Sequence, residues 1–323
     1  MIKIGFIGAG WVAEQHLAAL KQLDGVAVTA IYNPTRSKAE ALAGQCGAQV
    51  YDSPSAVIQN VDVVYALAPQ DTRVSHVMEA ARYGKHIFCE KPFANTLSEA
   101  DRQIEVIEKS GIKVQMGFVM RQFANFKLVH DTFASGELGD LVTIWTRRMW
   151  FRTFAPDYYQ ASLARCGGFT NELNVHDFDW LMTVGGEVSS VYGRTIGTRP
   201  DRDVEENSWS ILNFDQGFGV VGTSWLASIA DTSAGIIGTK GTMILQGGKV
   251  TKKLLDADAE QTFQFDEGPL MADAYLAQER EFIGCILSDK QPAADVYAGR
   301  AATQVALAVL KSARTNQVVS LKE

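Results

Sequence analysis

Ile2-Lys3-Ile4-Gly5-Phe6-Ile7-Gly8-Ala9-Gly10-Trp11-Val12-Ala13 opens the chain. The apolar run to Ile7 reads as a buried strand, and a Gly8-x-Gly10-x-x-Ala13 turn follows it directly. Gly8 permits the tight turn. Gly10 lets backbone approach a pyrophosphate, and Ala13 is small enough for a helix to pack on the strand. The helix predicted next runs through Glu14, His16, Leu17, Leu20 and Leu23. Its first N–H groups, at Trp11 and Val12, face the turn and suit a phosphate. A glycine turn of this kind is common by itself; set between a strand and an amphipathic helix, it reads as a dinucleotide site. His16 reads as a packing or local capping residue.

The same alternation continues. Val26–Tyr32 is a second strand, and Asn33 ends it. An NAD site expects a carboxylate near this point to hold the ribose diol. Asn33 supplies none, whereas Arg36 and Lys38, near the start of the next helix, suit a 2′-phosphate. A solvated basic turn is the plainer reading of the pair. The expectation is NADP(H) ahead of NAD(H), with NAD(H) as the alternative. Further strands are predicted at 48–51, 61–68, 86–89 and 112–116, and helices at 73–82 and 97–109, with Ser98 as a cap of the latter. The turn Ala68-Pro69 closes one strand and Glu90-Lys91-Pro92 closes the next. Both lie where open α/β sheets place ligands, so Ala68, Pro69, Glu90 and Lys91 join the cofactor set. The fold class is α/β, with a doubly wound parallel sheet in residues 1–119.

After Gly139 the chain turns to runs rich in Val, Ile, Thr and aromatics, at 141–150, 188–198, 208–214, 218–226, 233–237 and 242–245. Hairpin signals at Asp215-Gln216-Gly217 and Gly247-Gly248 predict a mainly antiparallel, open-faced sheet in a second α+β domain, 120–323, which ends in helices near 271–287 and 295–312. With 323 residues, two domains are the prior. Net charge is −7 and no dense Lys/Arg run occurs, which argues against nucleic acid. The four cysteines are scattered without metal-ligand spacing, so no metal is expected and free thiols in a reducing compartment are. No apolar run is long enough to span a membrane, and Met1 leads straight into the first strand with no room for a signal peptide. A cytoplasmic protein is the expectation. An exposed sheet face predicts a homodimer or homotetramer packed through it.

One stretch interrupts the strand pattern, Gly167-Gly168-Phe169-Thr170-Asn171-Glu172-Leu173-Asn174-Val175-His176-Asp177-Phe178-Asp179-Trp180. Glu172 and His176 stand four apart and share a face if the segment is helical. A carboxylate one turn from an imidazole fixes its tautomer and raises its pKa, as a general base requires. A lone histidine on such a helix is more often structural. Asp177 and Asp179 read as polar partners or solvent-facing groups, and Trp180 as core.

Taken in order, the glycine turn at Gly8, Glu90-Lys91-Pro92, and Gly167-Gly168 followed by Glu172-x-x-x-His176 resemble the oxidoreductases named for glucose–fructose oxidoreductase, inositol dehydrogenase and rhizopine-catabolism proteins. The likeness runs over essentially the whole chain. It implies hydride transfer between a nicotinamide and the hydroxyl or keto carbon of a sugar, cyclitol or related polyol. It carries Lys91 and His176 over as catalytic residues. Glu172 stands where the family usually has Asp. Lys91 would stabilise charge on the reacting oxygen, His176 would take its proton and Glu172 would hold the ring. Arg121, Trp150, Arg152, Tyr158, Arg165 and Asn171 are candidates for the substrate pocket, with Phe118 beside them; core aromatics and surface arginines are the plain alternative. Two other classes share the resemblance: an NAD-dependent glycosidase working by transient oxidation, and a catalytically silent dinucleotide sensor.

Overall fold

The computed structural model describes residues 1–322. The chain first alternates strand and helix: β1 (Ile2–Ile7), α1 (Trp11–Leu20), β2 (Val26–Tyr32), α2 (Arg36–Ala43), β3 (Gln49–Val50), α3 (Pro54–Gln59), β4 (Val63–Ala66), α4 (Gln70–Arg82), β5 (His86–Cys89), α5 (Leu97–Ser110) and β6 (Val114–Met116). The strands form one parallel sheet in the order β3-β2-β1-β4-β5-β6. Every residue of β4 is buried, because helices cover both faces; its sequence is therefore continuous Val-Val-Tyr-Ala with no polar alternation. Strand order reverses between β1 and β4, so the carboxyl end of β1 opens on the sheet's switch point. α5 is capped by Thr96, whose hydroxyl accepts from Glu99 N at 3.2 Å, and not by Ser98. The Glu99 carboxylate reaches back to Asn95 N at 3.1 Å, so the Thr-x-x-Glu spacing sets the helix start.

The remaining elements are α6 (Ala124–Ala134), β7 (Leu141–Phe151), α7 (Leu163–Cys166), α8 (Phe169–Gly185), β8 (Ser190–Ile196), β9 (Asn207–Asn213), β10 (Phe218–Ser224), β11 (Leu226–Gly238), β12 (Gly241–Gln246), β13 (Lys249–Leu254), β14 (Gln261–Gln264), α9 (Glu267–Leu287), α10 (Val296–Thr315) and β15 (Val319–Ser320). Nine strands make the second sheet, ordered β14-β13-β12-β11-β7-β10-β9-β8-β15 and antiparallel except for the β7–β10 pair. The predicted hairpins occur: Gly217 (φ +70°) turns β9 into β10, and Gly247 (φ +57°) turns β12 into β13. α6 and α8 pack on one face. On the other, Trp209, Ile211, Phe218 and Ile244 are exposed. Two indoles lie flat over glycines of neighbouring strands there. A Cβ on Gly235 would come within 2.3 Å of Trp145, its register partner, and one on Gly222 within 2.7 Å of Trp209, likewise its partner.

β13, β14 and β15 were not among the predicted strands. Lysines mask β13: Lys249-Val250-Thr251-Lys252-Lys253-Leu254 still buries Val250 and Lys252, and the Lys252 ammonium is neutralised by Glu137 at 2.6 Å. The chain divides into one unit of Met1–Val119 with Ala272–Arg300, and a second of Met120–Met271 with the chain from Ala301. The sequence reading put all of 120–323 in the second domain. Phe282 and Ile283 of α9 instead join the core of the parallel sheet with Phe6, Tyr65 and Phe88, and Tyr275 and Leu276 pack on Ala19 of α1. A helical stripe declares that it buries a face but not which sheet it covers. No helix among the described residues is long and apolar enough to cross a membrane.

Candidate active site

In the first unit, the turn after β1 fits a dinucleotide. Gly8 has φ +120°, and a Cβ there would stand 2.8 Å from the Leu67 carbonyl carbon, so only glycine serves. A Cβ on Gly10 would meet nothing within 4 Å; the space over this backbone is open, as a pyrophosphate requires. No side chain caps α1, which leaves its first amides, at Trp11 and Val12, to an anion. Trp11 itself is 57% exposed at that turn. Asn33 is a brace. Its Oδ1 accepts from Ala9 N at 3.1 Å and its Nδ2 donates to Thr35 O at 3.0 Å, tying the glycine turn to the end of β2. Arg36 is shared between Glu40 at 2.8 Å and Asp52 at 2.5 Å, all three exposed; the Glu40 hydrogen bond, with Asp52 beside it, holds its pKa above the usual value. Lys38 is exposed.

β5 delivers Glu90-Lys91-Pro92 to the same edge of the sheet, with the Lys91–Pro92 peptide cis. Glu90 is buried; its Oε2 accepts from Lys91 N at 3.2 Å and its Oε1 meets His16 Nε2 at 3.3 Å. Gly117 makes room for it, since a Cβ there would lie 2.5 Å from Oε1. Buried Arg73 on α4 donates to Ala68 O at 2.9 Å and to Pro92 O. One guanidinium thus locks the Ala68-Pro69 turn to the lysine's segment. Arg73 was absent from the sequence candidates, though a cation in the first turn of a helix, where the dipole disfavours it, was a signal. Burial pushes the Cys89 thiol up to about 11, so this cysteine is inert despite its position.

In the second unit, α8 carries the histidine. From Phe169 to Leu181 every residue is buried except His176, which is half-buried. The buried polar side chains each have partners. Glu172 Oε1 accepts from Gln160 Nε2 at 2.7 Å and Tyr159 Oη at 3.1 Å. Asn174 accepts from Thr223 at 2.7 Å. Asp177 holds Arg148 through two bonds of 2.8 and 2.5 Å, and Asp179 holds Arg121 through two of 2.7 and 2.6 Å. Burial raises the Asp179 pKa, and Arg121 offsets part of that rise. Asp177 and Asp179 are therefore polar partners, and Trp180 is core. Arg121, a substrate candidate, spends its planar fork on Asp179.

Three other candidates converge. Trp150 packs on the cluster of Phe169, Leu173 and Trp225. The Arg152 guanidinium lies 5.2 Å over Trp225 and 5.8 Å over Phe154, and the Tyr158 ring is 5.6 Å from Phe154. Phe169 and Leu173 share a face of α8, and His176 is the next residue along that stripe. Trp225 and Phe154 were missed; nothing local in the sequence distinguishes them from other core aromatics. Asn171 is fully buried within α8, Arg165 is exposed at the end of α7, and Phe118 is buried in the first unit.

A doubly wound sheet with an open glycine turn at its switch point, followed by an open-faced sheet bearing a half-buried histidine, defines a nucleotide-dependent enzyme of two units. Residues 2–118 match the model described as an oxidoreductase family with an NAD-binding Rossmann fold, and residues 126–244 match the GFO/IDH/MocA C-terminal domain. The chain belongs to the GFO/IDH/MocA family of oxidoreductases. The myo-inositol 2-dehydrogenase of Thermotoga maritima is 28% identical over 100% of this chain and 99% of its own. The scyllo-inositol 2-dehydrogenase (NAD(+)) of Bacillus subtilis is 23% identical over 99% of this chain and 96% of its own. A solved levoglucosan dehydrogenase in complex with NADH and levoglucosan shares the fold, with a TM-score of 0.92 at 17% identity over 100% of both chains.

Proposed function

We propose that the protein is a dehydrogenase or reductase that moves a hydride between a nicotinamide and the CH–OH or keto carbon of a sugar, cyclitol or related polyol. The observation that carries the reading is His176, half-buried in a stretch of α8, Phe169 to Leu181, that is otherwise buried. The family supports it, as do the inositol dehydrogenases among the relatives. Gly8, Gly10, Trp11 and Val12 would hold the dinucleotide, with the Ala68-Pro69 turn beside them. When bound, the nicotinamide supplies the acceptor or donor of the hydride.

In the oxidative direction, His176 takes the hydroxyl proton while the carbon gives up its hydrogen with both bonding electrons. Lys91 donates to the oxygen and stabilises the charge that develops on it. Glu172, one turn before His176 on α8 and itself held by Gln160 and Tyr159, would help to orient the imidazole. In reduction, protonated His176 returns the proton. Arg152, Trp150 and Tyr158 line the substrate's side of the stripe.

The finer cofactor reading is NADP(H) over NAD(H), supported by the neutral Asn33 and by Arg36 and Lys38. Arg36 serves a 2′-phosphate by releasing or sharing Asp52. The exposed sheet face of Trp209, Ile211, Phe218 and Ile244 suits a second copy of the chain, as homodimer or homotetramer, and four free cysteines suit the cytosol.

The test is a panel of sugars, cyclitols and keto-sugars with each oxidised and reduced cofactor, followed by absorbance of the reduced nicotinamide. Lys91→Ala should lose most turnover while still binding cofactor, and His176→Ala should lose about 10²–10⁴-fold in turnover with a changed pH profile. A Lys91→Ala variant with near-normal turnover refutes the reading. Release of a sugar from a glycoside without net change in cofactor redox state would replace it with the glycosidase.

A further inference from the structure

His16 is completely buried on α1, and both its ring nitrogens are engaged: Nδ1 with Glu279 Oε1 at 2.5 Å and Nε2 with Glu90 Oε1 at 3.3 Å. A neutral imidazole has one donor and one acceptor, whereas two carboxylates ask for two donors. The imidazolium satisfies both. Tyr65 donates to the other oxygen of Glu279, so that carboxylate is also committed on each side. Phe88, Tyr275 and Tyr65 stand edge-on to the imidazole at 4.7, 5.0 and 5.4 Å and keep water out. Burial works against the charge, yet Glu279 and then Glu90 outweigh it and lift His16 to about 9. Burial, with Glu279 beside it, pushes Tyr65 upward too, and burial does the same to Tyr275, so both phenols remain donors.

Glu90 is where this network meets the lysine. One of its oxygens faces His16 and the other receives Lys91 N–H. Gly117 leaves the space that this carboxylate fills, since a Cβ there would lie 2.5 Å from Oε1. Arg73 fixes the far side of Lys91 through Pro92 O.

We propose that His16, as an imidazolium shared by Glu90 and Glu279, is a positioning residue for Lys91: it holds Glu90, through Glu90 the backbone from which the lysine acts, and it makes that setting depend on α9. The inference rests on the reading of Lys91 as the group acting on the reacting oxygen. Its test needs no substrate. The full-length protein is acetylated with trace acetic anhydride between pH 7 and 10, and Lys91 and exposed Lys109 are quantified by peptide mass spectrometry. In His16→Asn and in Glu279→Gln, the labelling rate of Lys91 should change by about threefold or more, the scale of coupling between residues in one network, while Lys109 stays constant. With a substrate from the panel, kcat should fall about 10- to 100-fold, with cofactor affinity unchanged, as misplacement of a reacting group does. Nitrogen-15 spectra of the histidines should show one ring doubly protonated at pH 8, and that signal should vanish in His16→Asn.

Unchanged Lys91 labelling in both variants overturns the proposal. Should His16→Asn fail to fold, Glu279→Gln decides alone, because glutamine still accepts from Tyr65. Retained turnover in Lys91→Ala would defeat the functional reading, and the labelling result would still decide whether His16 positions the lysine.

Discussion

Raising the pH should weaken the first unit through loss of the His16 proton. Its folded pKa of about 9 stands above the ordinary 6.5. The folded state therefore holds this proton more tightly, and the stabilisation is complete below pH 6.5 and lost as pH rises through 9. The difference in proton affinity, at about 1.36 kcal/mol per factor of ten, is worth about 3 kcal/mol at low pH. Less than half of it remains at pH 8 and almost none at pH 10. That is a large part of a typical domain's stability of about 5–15 kcal/mol. The comparison chain is His16→Asn/Glu279→Gln, which removes the cation together with its strongest carboxylate partner. Urea unfolding at pH 6.5, 8 and 9.5, with pulsed hydrogen exchange of β1 and β4 peptides, reads the first unit specifically. The stability gap between wild type and double variant should shrink by about 2–3 kcal/mol over that range. A gap constant to within about 0.5 kcal/mol would show that His16 is neutral in the folded protein and that the network is an ordinary hydrogen-bond chain.

Glu172→Gln should move the His176-dependent limb of the pH–rate profile to lower pH and reduce turnover without abolishing it; an unmoved limb would assign Glu172 to holding Tyr159 and Gln160 only. Arg36→Ala should weaken NADP binding and spare NAD, and Asp52→Asn should strengthen NADP by freeing the guanidinium; equal responses of the two cofactors in a titration would remove Arg36 from the site. Trp209→Asp should dissociate an assembly built on the open sheet face, shifting the mass seen by light scattering towards one chain; an unchanged mass would place the interface elsewhere.

What could be read from the sequence was local. The Gly8 turn declares itself because strand, glycine and helix are contiguous, and β4 and β5 because a strand covered on both faces must be apolar throughout. Lys91 and His176 stood out through short spacings to a proline and to a carboxylate. The supports of the site are non-local, and single-sequence patterns do not carry them. Glu279 reaches His16 across 263 residues, so an apparently ordinary histidine is part of a buried ion network. Arg73 looks like one of many surface arginines until its two carbonyl partners are known. Trp145 rests on a glycine 90 residues away, and nothing near the tryptophan announces the fit. In β13, burial alternates beneath a lysine-rich composition, and composition hid the strand.

The return of Ala272–Arg300 to the first unit has a consequence for biosynthesis. When Val119 leaves the ribosome, the parallel sheet has all six strands, but His16, Tyr65 and Phe88 still lack Glu279 and Phe282. Another 152 residues must be made before Ala272 appears. At about 5–20 residues per second, the nascent sheet waits roughly 8–30 s with an apolar face and a carboxylate-seeking imidazole open to solvent. That interval is when chaperone capture is most needed. A fragment stopped at residue 119 should resemble this intermediate and aggregate, whereas a chain joining 1–119 to 272–300 by a short linker should restore a soluble sheet.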